Sequence, residues 1–211
     1  MDIIIYERVK YMTQASYKYI GNVLDRNTRG WLPVVDEHSN KFYLPLLTKV
    51  EKLENANLFV MEGIHKGKTI AVDHKRIKPN IYSSYLFNSF TYAEGANLKL
   101  ILKTSILQFP TQEEKVMCEG ILPGVYKILL PDRPHEKKMQ EDYYDESNSS
   151  GSRFCTTWFP IDTPQHNQYL HMGEYSTGCV TVLDNWQRIY LSLIHSRELE
   201  SVIGTLTVVE E

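Results

Sequence analysis

A cysteine and a histidine lie close together near the carboxyl end of the chain, in the segment 169–182 (YLHMGEYSTGCVTV). Successive side chains of a β-strand alternate between its two faces, so His171 on one predicted strand and Cys179 on the next can point to the same side. Gly173 and Gly178 provide the bends of the short connection, which lets the two strands lie side by side. An imidazole beside a thiol is the arrangement that a cysteine nucleophile with a histidine base requires.

Gly178 directly precedes the thiol, and a residue without a side chain lets a substrate carbonyl approach the backbone. The N–H groups of Gly178 and Cys179 could then stabilise the oxyanion that forms when sulfur attacks a carbonyl carbon. Lowering a thiol pKa from about 8.5 to about 6.5 raises its reactivity only about threefold, because intrinsic nucleophilicity falls with the pKa. We therefore expect His171 to act mainly by moving protons, as general base and then general acid.

The same two residues are also compatible with a structural role, which the sequence leaves open. A single cysteine in a strand often packs as a small apolar side chain, and a single histidine is often a hydrogen-bonded structural residue. The chain contains neither an HExxH motif nor a CxxC pair. The sequence therefore predicts no metal site, no cofactor and no disulfide framework.

Most other patterns predict β-strands. In the first half, apolar runs on either side of polar, turn-forming residues indicate hairpins at 31–46 and 58–72. In the second half, further strands are predicted at 98–103, 106–109, 125–130 and 205–209. The sequence thus predicts a mainly β protein with a few helices.

One helix is predicted near the carboxyl end. Asp184 could cap it, with Gln187 in the capping-box position three residues later. Five large side chains then recur at helical spacing and form one apolar stripe for packing on a sheet. They are Trp186, Ile189, Tyr190, Leu193 and Ile194.

The chain is predicted to have two parts with a boundary near Gly95, because the residues that could do chemistry all follow it. Residues 1–94 would form a β-rich amino-terminal region of unknown role, and residues 95–211 would carry the site. Residues 131–152 are acidic and then serine-rich. This composition buries little apolar area, so we predict a surface loop there, either a lid or a solvated insertion.

Charge and hydropathy exclude several classes of protein. The 211 residues carry a formal charge of −3, and their scattered lysines and arginines provide no basic patch for nucleic acid. No apolar stretch approaches the roughly 20 residues of a membrane span. The apolar run 1–6 is short for the core of a signal peptide and no basic segment precedes it. The chain is therefore expected to stay inside the cell, to leave by a route that needs no such signal, or to have had its signal cut away.

Three short elements resemble the catalytic domain of L,D-transpeptidases. Residues 171–173 (HMG) are similar to the family's His–Gly element, and residues 176–180 (STGCV) are similar to its Ser/Thr-His-Gly-Cys element. Residues 122–128 (LPGVYKI) are similar to its Pro-x-Gly-x-Tyr/Phe segment, which opens an earlier strand. The elements occur in the family's order, and the resemblance implies a β-sandwich-like catalytic domain over residues 95–211.

The resemblance implies a cysteine transferase or hydrolase that acts on the stem peptides of bacterial peptidoglycan, in the periplasm or cell wall. Cys179 would attack a peptide carbonyl, His171 would move the proton, and Gly178 would help to bind the oxyanion. The thioester would pass to an amine, giving a cross-link, or to water, as in an L,D-carboxypeptidase or endopeptidase. The residues expected to contact the substrate are Gly173, Tyr175, Ser176, Thr177 and Thr181.

The chain departs from the family's pattern at three points. Thr177 replaces the usual histidine, Thr181 replaces a common arginine, and Cys179 follows His171 by only eight positions. These departures affect the expected substrate size and the recognition of the acceptor more than they affect the nucleophile.

Two other interpretations stay open. A chymotrypsin-like cysteine protease would also place a histidine before the cysteine, at His38, His65 or His74, although such enzymes usually have Gly where Val180 lies. The non-enzymatic alternative is a cell-wall or protein-binding β module with a degenerate site, in which aromatic residues of the first half form a binding surface.

Overall fold

A computed structural model describes residues 17–24, 28–53, 55–77, 85–135, 154–173 and 176–211, which contain fifteen strands and one helix. Strands β1 to β7 are Tyr17–Ile20, Trp31–Asp36, Lys41–Pro45, Lys49–Lys52, Leu58–Val60, Thr69–Val72 and Leu86–Phe87. Strands β8 to β14 are Ala96–Ile101, Ile106–Phe109, Gln112–Met117, Gly124–Leu129, Phe159–Ile161, Gln168–Met172 and Val180–Val182. Helix α1, Trp186–Ile194, and strand β15, Val202–Val209, complete the described chain.

The first seven strands form one sheet in the order β3-β2-β6-β5-β4-β1-β7. Both predicted hairpins are confirmed, because β2 pairs with β3 and β5 pairs with β6, each antiparallel. The inward-facing side chains of these strands are apolar, so pairing buries one face of the sheet, as at Leu32 and Leu44.

The last eight strands close into a barrel in the order β10-β14-β13-β12-β11-β15-β8-β9. The mainly β prediction is therefore confirmed, with a single helix among the described residues. The resemblance implied a sandwich-like domain, whereas this sheet closes because β9, at one end of the order, pairs with β10, at the other end. Closure leaves no free edge and fills the interior with alternate side chains of every strand.

Helix α1 has the predicted apolar stripe but not the predicted cap. All five residues of the stripe are buried. The helix begins after Asn185, which has a left-handed backbone (φ 59°), and no side chain caps its first turn, so the predicted capping box of Asp184 and Gln187 is wrong. Instead, the Asn185 amide donates to the Glu114 carboxylate at 3.1 Å, which fastens the start of the helix to β10. The described residues include no helix that is both long and apolar enough to cross a membrane.

A buried ion pair joins the two sheets. Arg197, after α1, contacts Glu62, after β5, with 3.2 Å between Nη2 and Oε1, and both side chains are almost fully buried. Gly63 also donates its N–H to Ser201 Oγ at 2.7 Å. Strands on either side of residue 95 belong to different sheets, but buried residues of both sheets form one hydrophobic cluster. The division into two domains stays a prediction.

The predicted loop at 131–152 lies mostly outside the described residues, which stop at His135 and resume at Phe154. Its first five residues are anchored. Pro134 forms a bridge with Thr157, and the His135 N–H donates to Thr156 O at 2.8 Å. The start of the loop therefore lies against the segment that leads into β12.

Candidate functional site

Strands β13 and β14 carry the predicted site, and they run parallel. Leu170 pairs with Val180 and His171 pairs with Thr181. Apolar side chains at alternate positions of both strands are buried in the core, which leaves His171 and Thr181 together on the other face. The two strands lie side by side as predicted. The chain returns between them, so that β14 runs in the same direction as β13.

The parallel register determines which residues meet. Continued by one residue, it places Cys179 opposite Tyr169, whose backbone hydrogen-bonds to the thiol. His171 lies opposite Thr181, and 3.3 Å separates the imidazole Nε2 from the Thr181 hydroxyl. Cys179, in the bend before β14, therefore lies diagonally across from His171, and within the described residues no hydrogen bond joins them. The prediction that the Cys179 thiol contacts the His171 ring, directly or through one water, stays untested.

The imidazole of His171 is held in one tautomer. Its Nδ1 lies 2.8 Å from the backbone oxygen of Met172. A carbonyl oxygen only accepts, so Nδ1 carries the proton and Nε2 has a free electron pair for the Thr181 hydroxyl or another donor. Burial lowers the pKa of His171 to about 4, although the bond to Met172 acts in the opposite direction. At neutral pH the ring is uncharged and can accept a proton.

The thiol of Cys179 is also uncharged at rest. Burial raises its pKa, and the hydrogen bond from the Tyr169 backbone only partly offsets this effect. The site thus contains a protonated thiol, just before β14, and a neutral imidazole on the neighbouring strand β13. Such a pair can react only if the proton leaves sulfur during the attack, which requires a base rather than a preformed thiolate.

The turn before Cys179 is fixed by side-chain hydrogen bonds. Ser176 Oγ donates to the Cys179 carbonyl at 2.5 Å, and Gly178 has a left-handed backbone (φ 99°) that favours glycine. Gln168 Nε2 donates to Gly178 O at 2.5 Å and lies 3.4 Å from Gly120 O. The amide of Gln168 therefore clamps this turn to the turn after β10.

Sequence reasoning missed Gln168, although a signal was available. Gln168 shares a strand face with Leu170 and Met172, both of which belong to the hydrophobic core. A polar side chain on a core-facing stripe needs a partner, because an unpaired buried amide costs free energy. The two glycine carbonyls are those partners.

The backbone around the nucleophile could bind an oxyanion. Among the described residues, the N–H groups of Gly178 and Cys179 have no hydrogen-bond acceptor. Two adjacent N–H groups without an acceptor are the donors that a tetrahedral intermediate requires.

The residues predicted to contact the substrate lie in different environments. Thr177 is exposed, Ser176 is half-buried and bonded to the backbone, and Thr181 is fully buried beside His171. Gly173 is buried too, and a Cβ there would lie 3.3 Å from Thr181 Cγ2 and 3.5 Å from His171 Cε1. Tyr175 lies outside the described residues. Their roles toward a substrate stay predictions, although the position of Thr181 favours a role on the imidazole.

Aromatic rings form the other wall of the site. The indole of Trp158 stacks on His171 with ring centroids 4.1 Å apart. Its opposite face stacks on His135 at 4.0 Å, and Tyr169 packs edge-on against His135. None of these contacts was predicted, because residues 135 and 158 lie on either side of a long insertion.

Other predicted arrangements receive less support. His38, His65 and His74 lie in turns and connections of the first sheet, and none of their contacts is with Cys179. The third motif, residues 122–128, leads into β11, which β12 separates from β13. Among the described residues, no group of three or more His, Cys, Asp or Glu side chains could hold a metal ion. None of the three cysteines, all of which are described, forms a disulfide.

The chain matches no protein-family model, no curated protein and no solved structure. The resemblance to L,D-transpeptidases therefore rests on the three short elements.

Proposed function

We propose that this protein is a cysteine-dependent acyl-transfer enzyme in which Cys179 is the nucleophile and His171 the general base and acid. The observation that carries the proposal is the fixed tautomer of His171. Because Nδ1 donates to Met172 O, the basic atom Nε2 is directed toward the strand that follows Cys179. A buried, neutral imidazole held in this way is suited to take up a proton only transiently.

The first half of the reaction forms a thioester. Sγ of Cys179 bonds to the substrate carbonyl carbon while the S–H bond breaks and its proton moves to His171 Nε2. The carbonyl electron pair moves onto oxygen, where the N–H groups of Gly178 and Cys179 stabilise the charge. The C–N bond then breaks, and Nε2 returns its proton to the leaving amine.

The second half releases the acyl group. An amine or a water molecule attacks the thioester carbon and gives a proton to Nε2. When the C–S bond breaks, the sulfur receives that proton and the resting pair is restored. Transfer to an amine gives a new amide bond, whereas transfer to water gives a carboxylate.

Thr181 would set the resting state of the base. Its hydroxyl donates to Nε2 at 3.3 Å. The thiol must replace this donor before the proton can move, so the substrate has to bring Sγ and Nε2 together. This requirement fits the diagonal placement of Cys179 and His171.

The substrate class follows from the resemblance of residues 122–128 and 171–180 to the motifs of L,D-transpeptidases. We propose that the acyl donor is a stem peptide of peptidoglycan. The products would be cross-linked or trimmed muropeptides.

The experiment is incubation of the purified protein with muropeptides, followed by mass spectrometry of both the products and the intact protein. We expect an acyl adduct on Cys179 and loss of turnover in Cys179→Ala and His171→Ala. The two losses should not add, because nucleophile and base act as one unit. Cys118→Ser is the matched control and should keep its activity, since Cys118 lies just after β10, where its thiol contacts the Ser105 hydroxyl.

Melting temperatures separate chemistry from folding. Cys179→Ala should cost less than about 1 kcal/mol of stability, so lost activity with an unchanged melting temperature supports the nucleophile. Activity that persists in Cys179→Ala, or that falls only as the protein unfolds, refutes it.

The second candidate function is a non-catalytic cell-wall or protein-binding β module. The burial of Cys179, with its raised thiol pKa, and the bond between Thr181 and Nε2 favour this alternative. It predicts binding of intact muropeptides or peptidoglycan without an adduct or products, and equal binding by Cys179→Ala.

A further inference from the structure

One indole ring lies between two imidazoles on the barrel. Trp158 is nearly parallel to both rings, at 16° to His171 and 7° to His135. The antiparallel register of β12 and β13, continued by one residue from Phe159 and Leu170, places Trp158 opposite His171. Its indole N–H donates to Cys155 O at 3.2 Å, which fixes the ring plane.

The outer imidazole of the stack has a carboxylate partner. His135 Nε2 lies 3.4 Å from Asp132 Oδ1, and the Tyr169 hydroxyl donates to Asp132 Oδ2 at 3.4 Å. The His135 backbone is itself bonded to Thr156. These contacts hold the ring of His135 against Trp158, so the stack is a built arrangement and not a chance surface contact.

We propose that Trp158 is a positioning residue for His171, and that the Asp132–His135 pair sets, across the indole, how readily His171 takes up a proton. The consequence for turnover rests on the proposed function, whereas the effect on protonation does not. The face of an indole attracts a cation, so Trp158 stabilises the imidazolium that forms during proton transfer. The same stack fixes the ring plane and therefore the direction of Nε2.

Charges near the stack determine the sign of the effect. His171 faces Trp158, the Thr181 hydroxyl, the Met172 carbonyl and, diagonally, the Cys179 thiol. The groups around His135 include Asp132, Tyr169, Trp158 and the neighbouring Arg133, and His65 of the first sheet interacts electrostatically with Asp132. A positive charge on His135 opposes a second one on His171, whereas the Asp132 carboxylate offsets it.

The electrostatics of His171 agree with this arrangement. Burial is the main reason for its low pKa, the bond to Met172 raises the pKa, and His135 lowers it further. Removal of the His135 imidazole should therefore make His171 a stronger base.

The test is an NMR titration of the His171 ring in the full chain, combined with kinetics on the acyl donor. In His135→Gln we expect the His171 pKa to rise and the acidic limb of the rate profile to move to higher pH. His166→Gln is the matched control, because His166 also lies near an aspartate, 3.7 Å from Asp162, but is exposed. It should leave both curves unchanged.

Trp158→Leu removes the ring and should lower kcat by at least about tenfold with little change in KM, since a misdirected base costs turnover rather than binding. Trp158→Phe keeps a ring and should restore most of the rate. If Trp158→Leu does not fold, the Phe variant and His135→Gln still decide the question.

Two results would overturn the inference: an unchanged titration of His171 in His135→Gln, or equal kcat for Trp158→Leu and the wild type. A shifted titration in a protein without turnover would support the stack and reject the enzymatic proposal. Turnover together with an unshifted His171 titration would support the enzymatic proposal and reject the role of the stack.

Discussion

Ionisable side chains are buried both at the junction of the two sheets (Glu62 and Arg197) and at the candidate site on the barrel (His171 and Cys179). The two regions satisfy these side chains in opposite ways. At the junction, Glu62 and Arg197 form an ion pair and make further hydrogen bonds. Glu62 also accepts from the Lys49 N–H and the Tyr92 hydroxyl, and Arg197 also donates to the Ser196 carbonyl. At the site, His171 and Cys179 are neutral, and their partners are backbone groups and a hydroxyl.

The difference separates a structural role from a chemical one. A buried ion pair is stable only when nearly every hydrogen-bonding position is satisfied, and it then has no remaining capacity to react. A neutral imidazole in a nonpolar setting can still gain a proton, and a neutral thiol can still lose one. The junction therefore holds the fold together, while the barrel site retains groups that can change protonation.

The largest effect on stability is expected at the junction. Arg197→Met removes the charge partner of Glu62 and leaves a buried carboxylate unpaired, which should destabilise the protein by about 3–5 kcal/mol. Urea unfolding measures the change. Lys66→Met, which breaks the exposed Lys66–Glu200 pair at the same junction, is the control and should change stability far less. Equal effects of the two variants would show that the buried pair contributes no more to stability than the surface pair.

The next effect comes from the pH dependence of stability. The pKa of His171 is lowered to about 4 in the folded state, so the unfolded chain binds this proton more tightly than the folded protein does. Stability should therefore be complete above about pH 6.5 and fall by about 3 kcal/mol as the pH drops to 4.

Comparison with His171→Gln isolates this contribution. Burial also lowers the pKa of His65 and His195, but both remain in the variant and cancel in the difference. The variant should show a flatter decline between pH 6.5 and 4 in denaturant titrations. Parallel curves for the two proteins would show that His171 is not a buried neutral base.

The smallest effect on stability is expected for Thr181→Val. This variant tests whether Thr181 acts on the base or contacts the substrate. Loss of the hydroxyl that donates to Nε2 should cost about 1 kcal/mol and raise the pKa of His171, because the neutral ring loses a donor. If Thr181 acts on the base, kcat changes and KM does not. If it contacts the substrate as the resemblance implied, KM changes instead. Steady-state kinetics with an acyl donor distinguish the two.

Much of the local structure could be predicted from the sequence. The hairpins around β2–β3 and β5–β6 and the apolar stripe of α1 follow from periodicity, because alternation and the 3.6-residue repeat directly identify buried faces. The cap of α1 could not be predicted in this way, since Asn185 bonds to Glu114, a residue that is distant in sequence. Gln168 could have been identified from the sequence, because it is a polar residue on an otherwise apolar strand face.

The sequence by itself predicted that the chain segments of His171 and Cys179 lie side by side, because side-chain alternation and a short connection are local properties. Only the tertiary structure decided that these strands run parallel, and hence that Thr181 rather than Cys179 lies beside Nε2. It also decided that Trp158 and His135 cover the imidazole. Register and barrel closure depend on contacts between residues far apart in the chain, and the energies of those contacts leave no local pattern in the sequence.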